Sequence, residues 1–266
     1  MIEGTCKLCL EPKPLRESHF IPAALYPRAR KPTFAGRNSR QVALDSKDKH
    51  IKDYALCFDC EQRFDRNGES EVMYWVSPKS KTFRLGERLK VALPRDYDPS
   101  DPDQSINRYS GPDIGTDMDK FAYFAISVVW RGAVHDWVLP DGSVRPHDAL
   151  GDFVEPMRLY LLRQAPFPQD TSVIVIVGSD DESRKVWTLP TVHIEASCLN
   201  FRFHTFGVLF RVLMGYRQWD YFRDHSCTSA RKCIFYGSMK HRMPEIMQLF
   251  EDSVDNSQTN SGGAEG

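Results

Sequence analysis

The 266-residue chain predicts an α+β fold, on three observations. In the middle of the chain, "MDKFAYFAISVVWRGAVHDW" places Phe121, Phe124, Ala125, Val128 and Val129 at helical spacing. In the C-terminal third the period changes. "TSVIVIVG" is a strand-sized apolar run, and "NFRFHTFGVLFRVLMG" alternates apolar and polar residues around Gly207. Residues 1–60 have little periodicity, are rich in Pro, Arg and Lys, and carry four cysteines in two pairs, "CKLC" and "CFDC". A segment of that composition needs a cross-link to hold it, and the paired cysteines supply one.

Taken in order, the elements are these. "EQRFDRNGESEVMYWVS", residues 61–77, begins as a helix leaving the second cysteine pair, with Asn67-Gly68 as a break or cap. "SKTFRLGERLKVAL" is a second, short helix. Residues 94–117 hold four prolines and two glycines, which predict an acidic linker or long loop without a regular element, and the domain boundary. Asp117 is then an N-cap for the apolar helix, and Asp148 one for "DALGDFVEPMRLYLLRQ", with Pro156 as a kink. "TSVIVIVG" and "RKVWTLP" read as strands separated by the turn "SDDES"; the stretch around Gly207 is a bent strand or a hairpin; "PEIMQLFEDSV" is a last helix. The expected organisation is a metal module over residues 1–77, a helix and acidic linker over 78–116, an α+β domain with a small antiparallel sheet over 117–252, and a disordered polar tail over 253–266.

Net charge is −1 and 41% of the residues are hydrophobic, so a sizeable core is available and the total charge points to no partner. No apolar run approaches the ~20 residues of a membrane span, and the first residues lack the apolar centre of a signal peptide. The expectation is a soluble, cytoplasmic protein with no membrane contact. In that reducing setting the seven cysteines favour metal over disulfides. Zinc takes four ligands in a tetrahedron, and each C-x2-C turn directs two sulfurs at one ion. Cys6, Cys9, Cys57 and Cys60 are therefore the ligands expected for one structural Zn2+, across a gap of 47 residues. A redox role for the pairs is disfavoured because no strand is predicted before either. Cys198, Cys227 and Cys233 have no paired spacing and read as small apolar residues.

Between the pairs stands "ESHFIP". With Cys6 and Cys9 before it, His19 and Pro22 within it, and "LCFDC" followed by Glu61 after it, residues 5–70 resemble the HNH endonuclease family. The resemblance implies a treble-clef, ββα-metal finger braced by zinc. It implies further that His19 is the general base that activates water, while a second divalent ion, Mg2+ or Mn2+, stabilises charge on the phosphate. Glu61 falls on the last ligand position of the motif. Ser18 stands where a ligand is usual, and His50, Asp53, Glu17 and Glu69 are the donors that could complete the shell. The alternative for His19 is a residue that packs the finger, and for Glu61 a carboxylate favoured in the first turn of a helix.

The neutral total hides a local imbalance. Residues 12–43 hold Lys13, Arg16, Arg28, Arg30, Lys31, Arg37 and Arg40 against Glu17, a net of +6. With Tyr26 and Phe34 interleaved, this segment suits a nucleic-acid backbone, and Arg28, Arg30, Lys31, Arg37 and Arg40 are its predicted contacts. Further on, Trp130, Arg131 and His135 read as pocket-lining or core-edge residues, while Asp224, His225 and Cys227 form no motif. The function predicted is metal-dependent cleavage of nucleic-acid phosphodiesters. The alternatives are a non-catalytic zinc module that binds nucleic acid or a protein partner, and a sensor whose C-terminal region recognises a ligand.

Overall fold

The computed structural model describes residues 2–26, 34–37, 40–43, 50–77, 82–94, 107–139, 142–145, 150–181, 183–195, 198–215 and 232–238. Helices and sheets occur together, as expected. The N-terminal part is a hairpin, a strand and a helix. β1 (Ile2–Thr5) and β2 (Pro12–His19) pair antiparallel, and β5 (Lys52–Cys57) adds on the other side of β2. Between β2 and β5 in sequence, a small hairpin is formed by β3 (Phe34–Arg37) and β4 (Arg40–Ala43). From Cys57 the chain enters α1 (Phe58–Phe64), widens into a π turn over Asp65–Glu69, and continues as α2 (Ser70–Val76). The predicted break at Asn67-Gly68 is thus a widening, and the helical path is unbroken. Gly68 has another purpose: a Cβ there would lie 2.8 Å from the Phe124 backbone nitrogen, so only glycine permits this close approach of two helices.

α3 (Arg84–Val91) follows as expected. Residues 95–106 lie outside the described residues, but the rest of the supposed linker is ordered into β6 (Asn107–Tyr109) and α4 (Gly111–Ile114). The Pro and Gly content misled there. Pro112 sits in the first turn, where a missing N–H costs nothing, Ser110 and Asp113 form a capping box, and Gly115 closes the helix in the left-handed region at φ 73°.

α5 (Met118–Val134) is the centre of the molecule. Asp117 caps it, its carboxylate accepting from the Asp119 and Lys120 amides at 2.9 and 3.2 Å. Every residue from Phe121 to Ala133 is buried, so the helix is covered all round and not on one face only. It packs on the π turn, on α6 (Val154–Leu161) and on the large sheet. α6 starts after a short turn at Gly151–Phe153, which puts Pro156 in its first turn, where it does not kink the helix. Asp148 lies outside the described residues. A two-strand ribbon of β7 (Trp137–Val138) and β8 (Val144–Arg145) connects the two helices.

The second sheet has six strands, in the order β10-β11-β12-β9-β13-β6. Its members are β9 (Thr171–Gly178), β10 (Thr191–Glu195), β11 (Cys198–Thr205), β12 (Val208–Met214) and β13 (Lys232–Gly237), with β6 at the edge. It is larger than expected, and β13 runs parallel to β9 while the other pairs are antiparallel. The stretch around Gly207 is a hairpin, not a bent strand. Phe206 at φ 44° and Gly207 at φ 97° give the two-residue loop whose twist suits paired strands. "RKVWTLP" is not a strand: residues Ser183–Lys185 turn, and Trp187 makes only an isolated bridge to Thr205. The predicted helix "PEIMQLFEDSV" and the polar tail lie outside the described residues. One cluster of buried apolar residues runs from Cys6 through α5 to Ile234. Among the described residues no helix is long and apolar enough to cross a membrane.

Within this core the buried Arg131 side chain meets Glu69 at 2.6 Å. Arg131→Met is expected to cost about 3–5 kcal/mol, because Glu69 is left buried without its counter-charge. The double variant Arg131→Met/Glu69→Leu should be less destabilised than that single variant in urea unfolding; losses that simply add would show that the two do not act as a pair. Gly68→Ala tests the helix contact. Helix propensity favours alanine by up to ~1 kcal/mol, yet a net loss of about 1–3 kcal/mol is expected from overpacking.

Candidate metal centre

Cys6 follows β1 and Cys9 closes the turn into β2, with Leu10 in the left-handed region at φ 62°. Cys57 ends β5 and caps α1, and Cys60 lies in the first turn of α1. The four sulfurs lie within 4.8 Å of one another, and Cys9 and Cys57 are 3.9 Å apart. Thiolates at ~2.3 Å from a tetrahedral zinc stand roughly 3.8 Å apart, so the quartet fits one ion. Strands do precede both cysteine pairs, contrary to expectation. What favours metal over redox chemistry is that the two pairs converge on each other.

The electrostatics are those of four thiols crowded together. The Cys6 thiol is pulled down to about 4, first by the hydrogen bond from the Cys60 thiol, against desolvation, and then by the backbone amides of Cys9, Cys57 and Leu8. The Cys57 amide donates to Cys6 Sγ at 3.3 Å. Cys60 is pushed up by the same contact with Cys6, and burial pushes Cys9 up. Thiolates packed this closely repel each other unless a dication sits among them. Bound zinc would cross-link the β1–β2 turn to the start of α1.

A local irregularity sets what faces inward beyond the cysteines. Arg16 pairs with Leu56 but Glu17 pairs with Tyr54, so Ala55 is an extra residue in β5. Its carbonyl accepts from the Lys7 amide at 3.0 Å, which ties the bulge to the first cysteine turn. The bulge breaks the side-chain alternation of β5, where Ala55, Leu56 and Cys57 are all buried. Leu15 and Ser18 both point inward, and His19 is left half-exposed at the strand end. The buried Ser18 hydroxyl donates to the Arg16 carbonyl at 3.4 Å.

His19 and His50 meet there, with Nε2 of His19 3.2 Å from Nδ1 of His50. The His50 ring stacks on Tyr26 with centroids 4.4 Å apart, and Tyr26 is fixed by two hydrogen bonds between its hydroxyl and the Ile51 backbone. Burial, then the charge of His50 and that of Lys52, lower the pKa of His19 below its ordinary 6.5; burial and Lys52 do the same to His50. The Arg131 guanidinium holds the His19 carbonyl at 2.9 Å. Nearby, His135 Nε2 bonds Asp53 at 2.9 Å. Burial pushes Asp53 up, but the hydrogen bonds from His135 and the Tyr54 amide outweigh it.

The carboxylates are disposed differently. Burial pushes the Glu69 carboxyl up, against the pull of Arg131, and the charge of Glu61 raises it further. Glu61 Oε1 is buried with no hydrogen-bond partner. Among the described residues, the cysteine quartet is the one group of three or more His, Cys, Asp or Glu side chains that could hold a metal ion, and neither His19 nor Glu61 belongs to such a group. Arg28, Arg30 and Lys31 lie outside the described residues, and of Arg37 and Arg40 only the backbone is described. Asp224, His225 and Cys227 also lie outside. The residue that sequence reasoning undervalued is Arg131. A lone charge in the apolar run "AISVVWRGA" was the signal, because a buried guanidinium requires an acidic partner.

No protein family, curated protein or solved structure matches the chain.

The quartet predicts about one zinc per chain in freshly reduced protein, measured by elemental analysis. Stripping it with a chelator, or replacing Cys57 by Ser, should lower the melting temperature sharply, since the cysteines belong to the shared core. Cobalt substitution should give the colour of a tetrahedral thiolate site. A colourless, zinc-free protein that melts unchanged would refute the site.

Proposed function

We propose that the chain hydrolyses nucleic-acid phosphodiesters, with the His19–His50 pair at the reacting centre and the cysteine-bound zinc as a brace. The observation that supports this is the contact of 3.2 Å between two ring nitrogens on a half-exposed strand end. His19 is held neutral by its surroundings, which is the state that accepts a proton from water. His50, clamped by Tyr26, fixes the ring of His19, and Arg131 fixes its backbone. A hard divalent ion, Mg2+ or Mn2+, would supply charge stabilisation at the phosphate. Of the carboxylates, Asp53 is engaged by His135, Glu69 by Arg131 and Glu17 by Lys52, which leaves Glu61, with its unpartnered oxygen, as the donor to hold it. The resemblance of residues 5–70 to HNH endonucleases points the same way.

A second reading is a zinc module that binds nucleic acid without cutting it. It is favoured by the lack of a second converging ligand group among the described residues.

A nuclease assay with Mg2+ or Mn2+ separates the two. His19→Ala should lose about 10²-fold in rate, the usual scale for a general base, with zinc content unchanged. Because the pKa of His19 lies below 6.5, the wild-type rate should rise with pH through that lower value and be level by pH 7. If neither DNA nor RNA is cut, or if His19→Ala cuts as fast as wild type, cleavage by this pair is wrong and the binding module stands.

A further inference from the structure

On the outer side of the helix leaving the metal centre is a cavity of about 250 Å³, lined by Phe58, Asp59, Gln62, Arg63, Arg66 and Asn67. Its charges are unevenly matched. Asp59 is already paired with Lys13 at 3.4 Å, and Asp65 in the same turn accepts from the Ser70 hydroxyl at 2.6 Å. The arginines, in contrast, have no carboxylate partner among the described residues. Arg63 donates one Nη to the Leu162 carbonyl at 3.1 Å, and its Nε is buried with no acceptor at all. Arg66 reaches only the Gln62 amide oxygen, at 3.4 Å.

A third guanidinium joins them from the turn that follows α6. Arg163 donates twice to Asn67 Oδ1, at 3.3 and 3.1 Å, and its guanidinium lies over the Tyr123 ring, 4.9 Å from the centroid. Its backbone is in the left-handed region at φ 61°, a conformation that costs a non-glycine residue free energy and that recurs at binding sites. Guanidinium groups gathered without carboxylates paired to them repel one another, and an oxyanion relieves that repulsion with forked hydrogen bonds. Beside the cavity Phe58 is 54% exposed, and the Arg16 guanidinium stands 5.5 Å from its ring centre. A polyanion that also carries flat rings suits both features.

We propose that this cavity binds a backbone phosphate of a nucleic-acid strand, with Arg63 and Arg66 as its donors, Arg163 completing the positive field, and Phe58 offering a stacking face for a base. The inference rests on the nucleic-acid reading above and deepens it: it puts strand binding on the α1–π-turn surface, in addition to the contacts Arg28, Arg30, Lys31, Arg37 and Arg40 expected from the basic segment 12–43.

The test is binding of a fluorescent single-stranded oligonucleotide to the full chain, loaded with zinc, in the His19→Ala background so that no cleavage interferes. Arg63→Gln/Arg66→Gln should weaken binding on the order of tenfold at low salt and lower the salt slope by about 0.7, the value for one neutralised phosphate of a single strand. Phe58→Ala should weaken it about fivefold or more with little change of slope. Arg66 is exposed, so Arg66→Gln alone carries the test if the double variant fails to fold, and it should weaken binding and lower the slope in the same direction. Oligonucleotide binding that is unchanged in these variants overturns the cavity and leaves the proposed cleavage intact. Inorganic phosphate that binds in an Arg66-dependent way while the oligonucleotide does not bind overturns the nucleic-acid assignment. Loss of cleavage in His19→Ala with binding retained and Arg66-dependent supports both proposals, whereas absent cleavage with Arg66-dependent binding supports the cavity alone.

Discussion

A guanidinium buried in an apolar helix has to be neutralised where it stands, and Arg131 is neutralised by segments far from it in sequence. Glu69 of the π turn supplies the opposite charge, the His19 carbonyl accepts from Nη1, the Ser127 carbonyl accepts from Nε at 3.3 Å, and the Phe64 ring lies 5.0 Å from the guanidinium carbon. Trp137 closes the arrangement by donating to the Arg131 carbonyl at 2.9 Å. The central helix, the helix of the metal module and the strand carrying His19 are therefore fixed by one side chain. Breaking such a pair is costly because what remains is a desolvated charge, not merely a missing contact.

The metal centre and the histidine pair are linked by the bulge at Ala55. Its carbonyl is bonded to the cysteine turn, and its strand pairs with β2 on both sides of the bulge, from Leu15 to His19. In β2, Ser18 is buried in the core and His19 is half-buried. A carboxylate at position 18 would be buried there beside apolar neighbours, which explains in physical terms why a small hydroxyl is tolerated at this point. The cysteine turn and the histidine are thus tied together through the β2–β5 pairing and not through a shared ligand.

Much of this was legible in residues whose role is local. The cysteine pairs, the Asp117 cap and the hairpin at Gly207 depend on a few neighbouring positions, and their chemistry leaves few alternatives. The six-strand sheet was only half legible. Its parallel pairing of β13 with β9 joins segments with the β10–β12 meander between them, which no local pattern encodes. "RKVWTLP" has strand composition, but Trp187 is fully buried, beside Tyr26, and packing there overrides the preference. The ordered part of the supposed linker failed for the opposite reason: Pro112 and Gly115 were read as breakers when they stand at the start and end of a helix, where each is favoured. At the candidate site, residue types suggested His19, His50 and Glu69 together, but a sequence has no means of assigning Glu69 to Arg131.

The π turn brings these strands of the argument to one place. From the metal centre onward, the residues Cys60, Phe64, Gly68, Val72 and Val76 are buried, at a strict spacing of four. Four residues of an α-helix overshoot one turn by about 40°, so that spacing would wind the buried stripe away from α5 along the helix. A turn wound with more residues takes up the overshoot, and it occurs over Asp65–Glu69, where Gly68 lets the backbone lie against Phe124. The same widening divides the polar residues of the turn. Glu69 is directed inward to Arg131, while Arg66 and Asn67 stay on the outer surface beside Arg163. One local departure from α-helical winding thereby yields both the buried ion pair that fixes the His19 strand and the cluster of unmatched arginines outside. A regular helix through Asn67-Gly68 could not supply the two together.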